Sequence, residues 1–184
     1  MAEHIKTYTG LYFYPAAPDI ESIRIRDIAH ALSLLCRGNG QVTRFWSVGQ
    51  HCICCAREAE ARGYEDRLVL ACLLHDASEC YLSDVPSPLK KDLPAFEPYE
   101  ERIMSLVFEK FLGSDLTAEE WKKVKTIDHE LLDWDMEVLL GEPAEGGLPP
   151  MKIEPHYIVQ PFEEVEEEYL RLFEEVSKRL QPSA

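Results

Sequence analysis

Apolar side chains recur along this chain at the spacing of buried helix faces. Within residues 26–36, Ile28, Ala31, Leu32 and Leu35 lie three or four positions apart, which is typical of an amphipathic helix. Comparable stripes predict further helices over residues 48–62, 65–79, 98–112, 118–140 and 161–181. Ser47 and the capping-box pattern at 117–120 are start signals for two of these helices. The pattern predicts an all-α helical bundle of five or six helices.

Three stretches lack a helical pattern. Residues 1–22 are rich in tyrosine and interrupted by proline, which predicts an extended aromatic arm or a short strand pair. Pro86 and Pro88 are separated by one residue, so residues 84–91 are expected to form an ordered loop rather than a regular helix. The Gly- and Pro-rich residues 141–160 predict a long connection. We therefore expect one domain over residues 1–184, with its core in about residues 20–140.

Composition restricts the classes of partner. Hydrophobic residues make up 46% of the chain and charged residues 29%, which is usual for a globular domain. The net charge of −15 argues against binding to a nucleic-acid polymer or an anionic membrane, because no basic surface is large enough. A small phosphorylated substrate stays possible, since it needs only a few local cations and a metal.

The chain shows no targeting signal in its sequence. No apolar run approaches the roughly 20 residues that span a bilayer, and residues 1–6 lack the apolar core of a signal peptide. We expect a cytoplasmic protein that does not contact a membrane. The acidic helix at 161–181 could pack on a second copy, so a homodimer is an open alternative.

Six cysteines occur in the sequence. Cys52, Cys54, Cys55 and Cys72 lie inside apolar helical runs, where a thiol behaves as a small buried hydrophobe. Cys52 and Cys55 form a C-x-x-C pair, but no second pair follows at the spacing of a zinc ribbon. We expect reduced thiols that serve packing, with a redox or metal role as the alternative.

The candidate chemistry begins where an apolar run, residues 68–74, leads into His75 and Asp76. Glu79 follows three positions after Asp76, so on a helix the two carboxylates share one face. An imidazole beside a carboxylate suits a divalent transition metal. His51, on the second predicted helix, and Asp128, beside the buried stripe of 118–140, are candidates for the other ligands. An unpaired buried carboxylate costs several kcal/mol, and a metal would offset this cost.

These residues resemble the HD-domain phosphohydrolases, in which a His, an adjacent His-Asp pair and a distant Asp bind one divalent metal. The similarity is tighter to the bacterial 5′-deoxynucleotidase-like branch, which also has an Arg seven residues before the first His, here Arg44. That branch continues from His-Asp-Ala-Ser-Glu, here residues 75–79, into an Asp-x-Pro-x-Pro-x-Lys loop, here residues 84–90. Phage-type HD dATP triphosphohydrolases resemble the same design. The resemblance covers roughly residues 20–140.

The resemblance implies a ligand set of His51, His75, Asp76 and Asp128. They would hold one divalent ion, with Mn, Co, Zn, Fe or Ni as candidates and Mg as an alternative. No His lies between Asp76 and Asp128, so the additional His ligands of two-metal HD enzymes are missing.

The resemblance also implies two catalytic candidates. Glu79 would act as general acid or base, its alternative being an exposed helix residue. Asp84 would contact a sugar hydroxyl or the hydrolytic water, its alternative being a loop cap.

Five residues are candidates for substrate binding. Arg44 and Lys90 would bind phosphate unless they are surface charges, and Arg37 could also face the phosphate. Trp46 would stack on a base or pack in the core. Asp135 would orient a metal-binding His or contact the substrate and so contribute to its recognition.

The resemblance thus implies a metal-dependent phosphohydrolase acting on a small-molecule nucleotide. The expected reaction converts a (deoxy)nucleoside 5′-monophosphate into nucleoside and phosphate through a metal-activated water. A dNTP triphosphohydrolase of the dATP type is one alternative, and a catalytically inactive HD nucleotide-binding module is another. Oxygen chemistry at a redox-active iron is a more remote alternative.

Overall fold

The computed structural model describes residues 3–180, and helices dominate this part of the chain. Eight helices follow one another in chain order: α1 (Ile25–Leu34), α2 (Val48–Ala61), α3 (Asp66–Leu74), α4 (Glu79–Leu82), α5 (Ser87–Lys90), α6 (Glu97–Leu112), α7 (Ala118–Asp135) and α8 (Phe162–Leu180). Within residues 3–180, six of them are nine or more residues long, and α4 and α5 are single turns. The all-α prediction is confirmed. Residue 181, the predicted end of the last helix, and residues 1–2 of the arm lie outside the described residues.

The helix starts follow from the capping residues. Ser47 and Gln50 form a complete capping box at the start of α2, and Thr117 and Glu120 form one at the start of α7. Gly113 ends α6 in the left-handed conformation, with φ of 80°, which a side chain would strain. The two predicted start signals, at Ser47 and at residues 117–120, are confirmed.

The N-terminal arm contains the predicted strand pair. Strands β1 (Ile5–Lys6) and β2 (Tyr12–Phe13) pair antiparallel, with Ile5 opposite Phe13. Phe13 is fully buried and stacks on Tyr81 of α4, the ring centroids being 3.7 Å apart. This stacking fastens the arm to the helical domain.

Two predicted boundaries are wrong. The helix predicted to reach Glu79 ends at Leu74, and residues 75–78 continue in tight turns with hydrogen bonds from Ala77 N to Leu74 O and from Glu79 N to Asp76 O. Side chains three apart eclipse one another in such 3₁₀-type geometry, so Asp76 and Glu79 still share a side. The predicted loop 84–91 contains the single-turn helix α5. Pro88 lies in its first turn, where a backbone N–H has no helical partner and is not needed.

The prediction for the 118–140 helix is confirmed with one addition. After Asp135 the chain continues through a π-helical turn, Met136–Leu140, and ends at Gly141. Residues 141–160 form the predicted connection, without helix or strand. Turns of the π type occur frequently at functional sites, and this one follows directly after a residue of the candidate site.

Helix α8 completes the core. It packs against α1, α2 and α3, and its Tyr169 hydroxyl donates to the carbonyl oxygen of Leu73 at 2.6 Å. Its buried residues are Val165, Tyr169, Leu172 and Val176. The apolar face of α8 therefore covers the chain's own core, which leaves this face unavailable to a second copy. None of the described helices has the length and apolar character needed to cross a membrane.

Candidate metal centre

Three parts of the fold bring the predicted ligands together. His51 lies on α2, His75 and Asp76 lie in the turn that follows α3, and Asp128 lies on α7. One ligand atom from each of these four side chains lies within 4.8 Å of the others. Both His side chains are fully buried, and the two Asp side chains are each 13% exposed. The predicted ligand set is thus assembled at one buried point.

The two imidazoles are oriented by groups behind them. His51 Nδ1 lies 2.9 Å from Asp135 Oδ2, and His75 Nδ1 lies 2.8 Å from the carbonyl oxygen of Cys72. The Cys72 carbonyl is free for this contact because α3 ends at Leu74, and the last carbonyls of a helix lack helical donors. A carboxylate and a carbonyl can only accept, so each Nδ1 carries the hydrogen. When the imidazoles are neutral, as metal binding requires, each Nε2 therefore presents a lone pair to the centre.

Carboxylate oxygens and imidazole Nε2 atoms meet at the centre of the site. Asp128 Oδ1 lies 3.2 Å from His51 Nε2 and 3.3 Å from His75 Nε2, and Asp76 Oδ2 lies 3.2 Å from His75 Nε2. His75 Nε2 is buried and makes no hydrogen bond within residues 3–180. Carboxylates this close to a buried imidazole need a positive charge beside them, which is either a proton on Nε2 or a metal ion. The donor set of two nitrogens and two carboxylates fits a divalent ion.

The pKa shifts agree with a site that attracts positive charge. Burial lowers the pKa of His75, but Asp76 and Asp128 outweigh it and hold this pKa well above its ordinary value. Burial raises the pKa of Asp76 and Asp128, yet the facing His75 drives both far below their usual range. Both carboxylates are thus ionised and ready to bind a cation.

Arg37 and Asp135 support the ligands. Arg37 Nε donates to Asp135 Oδ2 at 3.3 Å, and its guanidinium also lies 3.6 Å from Asp76 Oδ2. Asp135 therefore connects Arg37 with His51, which matches the predicted role of orienting a metal-binding His. Arg37 reaches the edge of the centre, as the sequence predicts for a phosphate contact.

Glu79 and Asp84 stand on the same side as Asp76. Glu79 is 6% exposed, and its Oε2 has no hydrogen-bond partner in the described chain. Burial and the neighbouring Asp76 and Asp84 raise the pKa of Glu79 well above its ordinary value. Burial also raises the pKa of half-buried Asp84, an effect that Arg37 opposes. Glu79 is thus a buried carboxyl with a raised pKa, not the exposed helix residue of the alternative interpretation.

Three of the substrate-binding candidates have partners outside the ligand set. Trp46 is only 3% exposed and packs with Tyr157, so the structure contradicts its prediction as a base-stacking residue and supports the core alternative. Arg44 is exposed and donates to the carbonyl oxygen of Tyr157 at 3.2 Å. Lys90 pairs with Glu100 at 2.6 Å. Arg44 and Lys90 thus have structural partners.

Two residues near the centre escaped the sequence analysis. Lys125 Nζ lies 2.9 Å from Asp128 Oδ2, and its position three residues before Asp128 was the available signal. Burial lowers the pKa of Lys125, but Asp128 and Asp76 raise it overall. Cys55 is four residues after His51, and its Sγ lies 3.5 Å from His51 Nε2. The C-x-x-C pattern drew attention to this thiol, but packing was the preferred interpretation.

Two bacterial proteins are similar to this chain. YfdR of Escherichia coli strain K12, described as uncharacterized, is 37% identical over 107 residues, which cover 58% of this chain and 57% of YfdR. RCAP_rcc00048 of Rhodobacter capsulatus, also described as uncharacterized, is 36% identical over 121 residues, or 62% of this chain and 60% of the relative. The matches thus span less than two thirds of either relative. No family model matches the sequence.

Proposed function

We propose that this chain is an HD-domain phosphohydrolase that converts a (deoxy)nucleoside 5′-monophosphate into nucleoside and phosphate. The observation that carries the proposal is the convergence of ligand atoms from His51, His75, Asp76 and Asp128 within 4.8 Å of one another. His75 Nε2 is buried there without a hydrogen-bond partner in the described residues, which is unusual for a buried polar atom. The resemblance of the motif to the 5′-deoxynucleotidase-like branch supplies the reaction class.

The same four residues would hold a single divalent transition metal ion, with Mn, Co, Zn, Fe or Ni as candidates. Mg, which prefers oxygen ligands, is the alternative. When bound, such an ion activates a water molecule and offsets charge on the phosphoryl group. Burial and two carboxylates raise the pKa of Glu79, which suits a general acid that would protonate the leaving oxygen of the nucleoside. Arg37 is positioned to receive a phosphate oxygen beside Asp76.

A groove beside the centre has room for a nucleoside. It has a volume of about 620 Å³ and is lined by Met104 and Trp121, which is within the range of roughly 300 to 1,000 Å³ for small-molecule sites. Met104 Sδ lies 3.3 Å from the backbone nitrogen of Ser78, and Lys125 Nζ lies 5.8 Å from the Trp121 ring centroid. Met104 thus connects the groove with the turn that carries Asp76, while the groove itself is lined by residues 98–105, Asp115 and Trp121 and not by the metal ligands. Trp121 replaces Trp46 as the aromatic residue available to a base.

The charge around the centre favours a monophosphate over a triphosphate. Each nearby cation already faces carboxylates: Arg37 faces Asp76 and Asp135, and Lys125 faces Asp128. A triphosphate brings additional negative charge and would need further cations. The dNTP triphosphohydrolase alternative is therefore the second choice.

The test is a phosphate-release screen of nucleoside mono- and triphosphates with Mn²⁺, Co²⁺, Zn²⁺ and Mg²⁺. We expect phosphate from monophosphates with the wild type and with the exposed control Asp133→Ala, and none with Asp76→Ala. Release of triphosphate from dNTPs would move the chain to the triphosphohydrolase alternative. Metal binding without turnover of any nucleotide would refute the enzyme proposal in favour of the binding module.

A further inference from the structure

We propose that Cys55 is an additional ligand of the metal centre, so that the ion is bound by a thiolate as well as by imidazole and carboxylate. This inference rests on the metal centre of the proposed function and extends its ligand chemistry. Cys55 lies one helical turn after His51 on α2, which places both side chains on the same face. Its side chain is buried, with 1% exposure.

The geometry places the sulfur beside the two imidazoles of the centre. The Sγ of Cys55 and the ligand nitrogens of His51 and His75 lie within 4.8 Å of one another. The same two imidazoles belong to the set that includes Asp76 and Asp128. An ion bound by His51 and His75 would therefore have the thiol on one side and the carboxylates on another.

The contact of 3.5 Å between Cys55 Sγ and His51 Nε2 is a hydrogen bond as long as no ion is bound. His51 Nδ1 carries its hydrogen toward Asp135, so Nε2 can only accept, and the thiol must be the donor. This is the one hydrogen bond of the Cys55 thiol in the part of the chain that the structure describes. A metal ion bound to His51 Nε2 occupies the lone pair to which the Cys55 thiol donates its hydrogen bond. The buried sulfur then loses its partner unless it binds the same ion.

Binding of the ion by Cys55 breaks the S–H bond, forms a sulfur–metal bond and releases the proton to solvent, with no change of oxidation state. A thiolate is a soft ligand and favours Zn²⁺, Co²⁺ or Cd²⁺ over Mg²⁺ and Mn²⁺. The inference therefore narrows the choice of metal that the imidazole and carboxylate ligands leave open.

Cobalt substitution separates a thiolate ligand from a neighbouring thiol. In Co²⁺-loaded wild type we expect visible ligand-field bands and, in the near ultraviolet, a sulfur-to-cobalt charge-transfer band. Cys55→Ala is expected to lose the charge-transfer band, keep the ligand-field bands and bind Zn²⁺ about 10- to 100-fold more weakly. The control Cys54→Ala removes the adjacent thiol, which packs beside Trp46, and should keep both features.

Each other outcome has a definite meaning. If the wild type shows ligand-field bands without a charge-transfer band, the metal centre is supported but Cys55 is not a thiolate ligand. Loss of the charge-transfer band in Cys52→Ala but not in Cys55→Ala would identify Cys52 as the sulfur ligand and refute the proposal for Cys55. No ligand-field bands in the wild type would overturn the metal centre itself. Cys55→Ser nearly preserves the side-chain volume and replaces Cys55→Ala if that variant does not fold.

Discussion

Helix α2 carries two buried charged clusters that differ in how far their polar atoms are paired. The first is centred on Glu58, whose side chain is fully buried. Its carboxylate accepts hydrogen bonds from Arg62 Nε at 2.7 Å and from the backbone N–H groups of Lys152 and Ile153 at 2.9 Å. Burial raises the pKa of Glu58, but these hydrogen bonds outweigh it and lower the pKa below the ordinary value of 4.5.

The second cluster, around His51 about two turns earlier on the same helix, has the opposite balance. The carboxylates of Asp76 and Asp128 face the imidazoles of His51 and His75, and His75 Nε2 makes no hydrogen bond within the described residues. The hydrogen bonds of Glu58 stabilise the fold and anchor the 141–160 connection. The buried carboxylates near His75 instead need a positive charge beside them, which a proton on His75 or a metal ion supplies. The comparison indicates that the Glu58 cluster serves folding and the His51 cluster serves ligand binding.

The largest effect is expected from Asp128→Asn, which removes one negative charge from the His51 cluster. Metal affinity and turnover should each fall by at least about 100-fold, because a direct ligand contributes no less than the groups behind it. The metal-free variant should also lose stability, because Asp128 then no longer supplies the charge that His75 and Lys125 face. Isothermal titration with Zn²⁺ and thermal unfolding in a chelator measure the two quantities.

The control for this prediction is Asp133→Asn, an exposed Asp on the same helix. It should match the wild type in both experiments. An Asp128→Asn variant that binds metal within twofold of the wild type would show that this carboxylate is not a ligand, and the contrast between the clusters would fail.

Glu58→Gln should change stability alone. Removing the charge that faces Arg62 and two backbone donors is expected to lower the free energy of unfolding by about 3 kcal/mol. Metal affinity should stay at the wild-type value, because Glu58 does not belong to the ligand set. Urea unfolding and metal titration of the same variant give both numbers.

The control here is Glu60→Gln, a partly exposed surface carboxylate on α2 that should cost at most about 1 kcal/mol. The dependence of stability on pH in the acid range provides a second check. Because the folded pKa of Glu58 is lowered, its stabilisation is fully present above pH 4.5 and is lost as the pH falls through the folded value. Glu58→Gln should therefore flatten the loss of stability in acid. Equal acid sensitivity of variant and wild type would contradict the assignment.

The contrast between the clusters also shows what the sequence could predict. His51, His75 and Asp128 each follow from local signals, since each lies on or beside an apolar stripe and matches a known motif. Helix starts at Ser47 and Thr117 were predictable for the same reason, because the donor and acceptor of a capping box are three residues apart.

The Glu58 cluster was not predictable, because its donors are backbone groups of an irregular segment 94 and 95 residues away. The buried position of Trp46 likewise depends on Tyr157 of that segment. The early end of α3 could not be predicted either, since an unbroken apolar run has no stop signal at Leu74. Only the folded chain shows that this end frees the Cys72 carbonyl for His75.

Asp135→Asn tests whether the groups behind the ligands matter to the centre. Asn can still accept from His51 Nδ1 but carries no charge for Arg37, so the imidazole keeps its direction and loses basicity. We expect metal affinity to fall about 10- to 100-fold, less than for Asp128→Asn. Competition against a metal indicator measures the ratio. An affinity within twofold of the wild type would mean that Asp135 only positions Arg37.

The smallest effect is expected from Lys125→Gln, at the solvent side of the His51 cluster. Lys125 is 45% exposed in its side chain and pairs with Asp128 Oδ2 at 2.9 Å. Because an exposed pair contributes at most about 1 kcal/mol, unfolding and metal affinity should change little. If Lys125 also meets the substrate phosphate, KM for a monophosphate should rise by up to about tenfold while kcat changes less. A fall in kcat alone would place Lys125 among the groups that act in the transition state, and unchanged kinetics would make it a surface partner of Asp128.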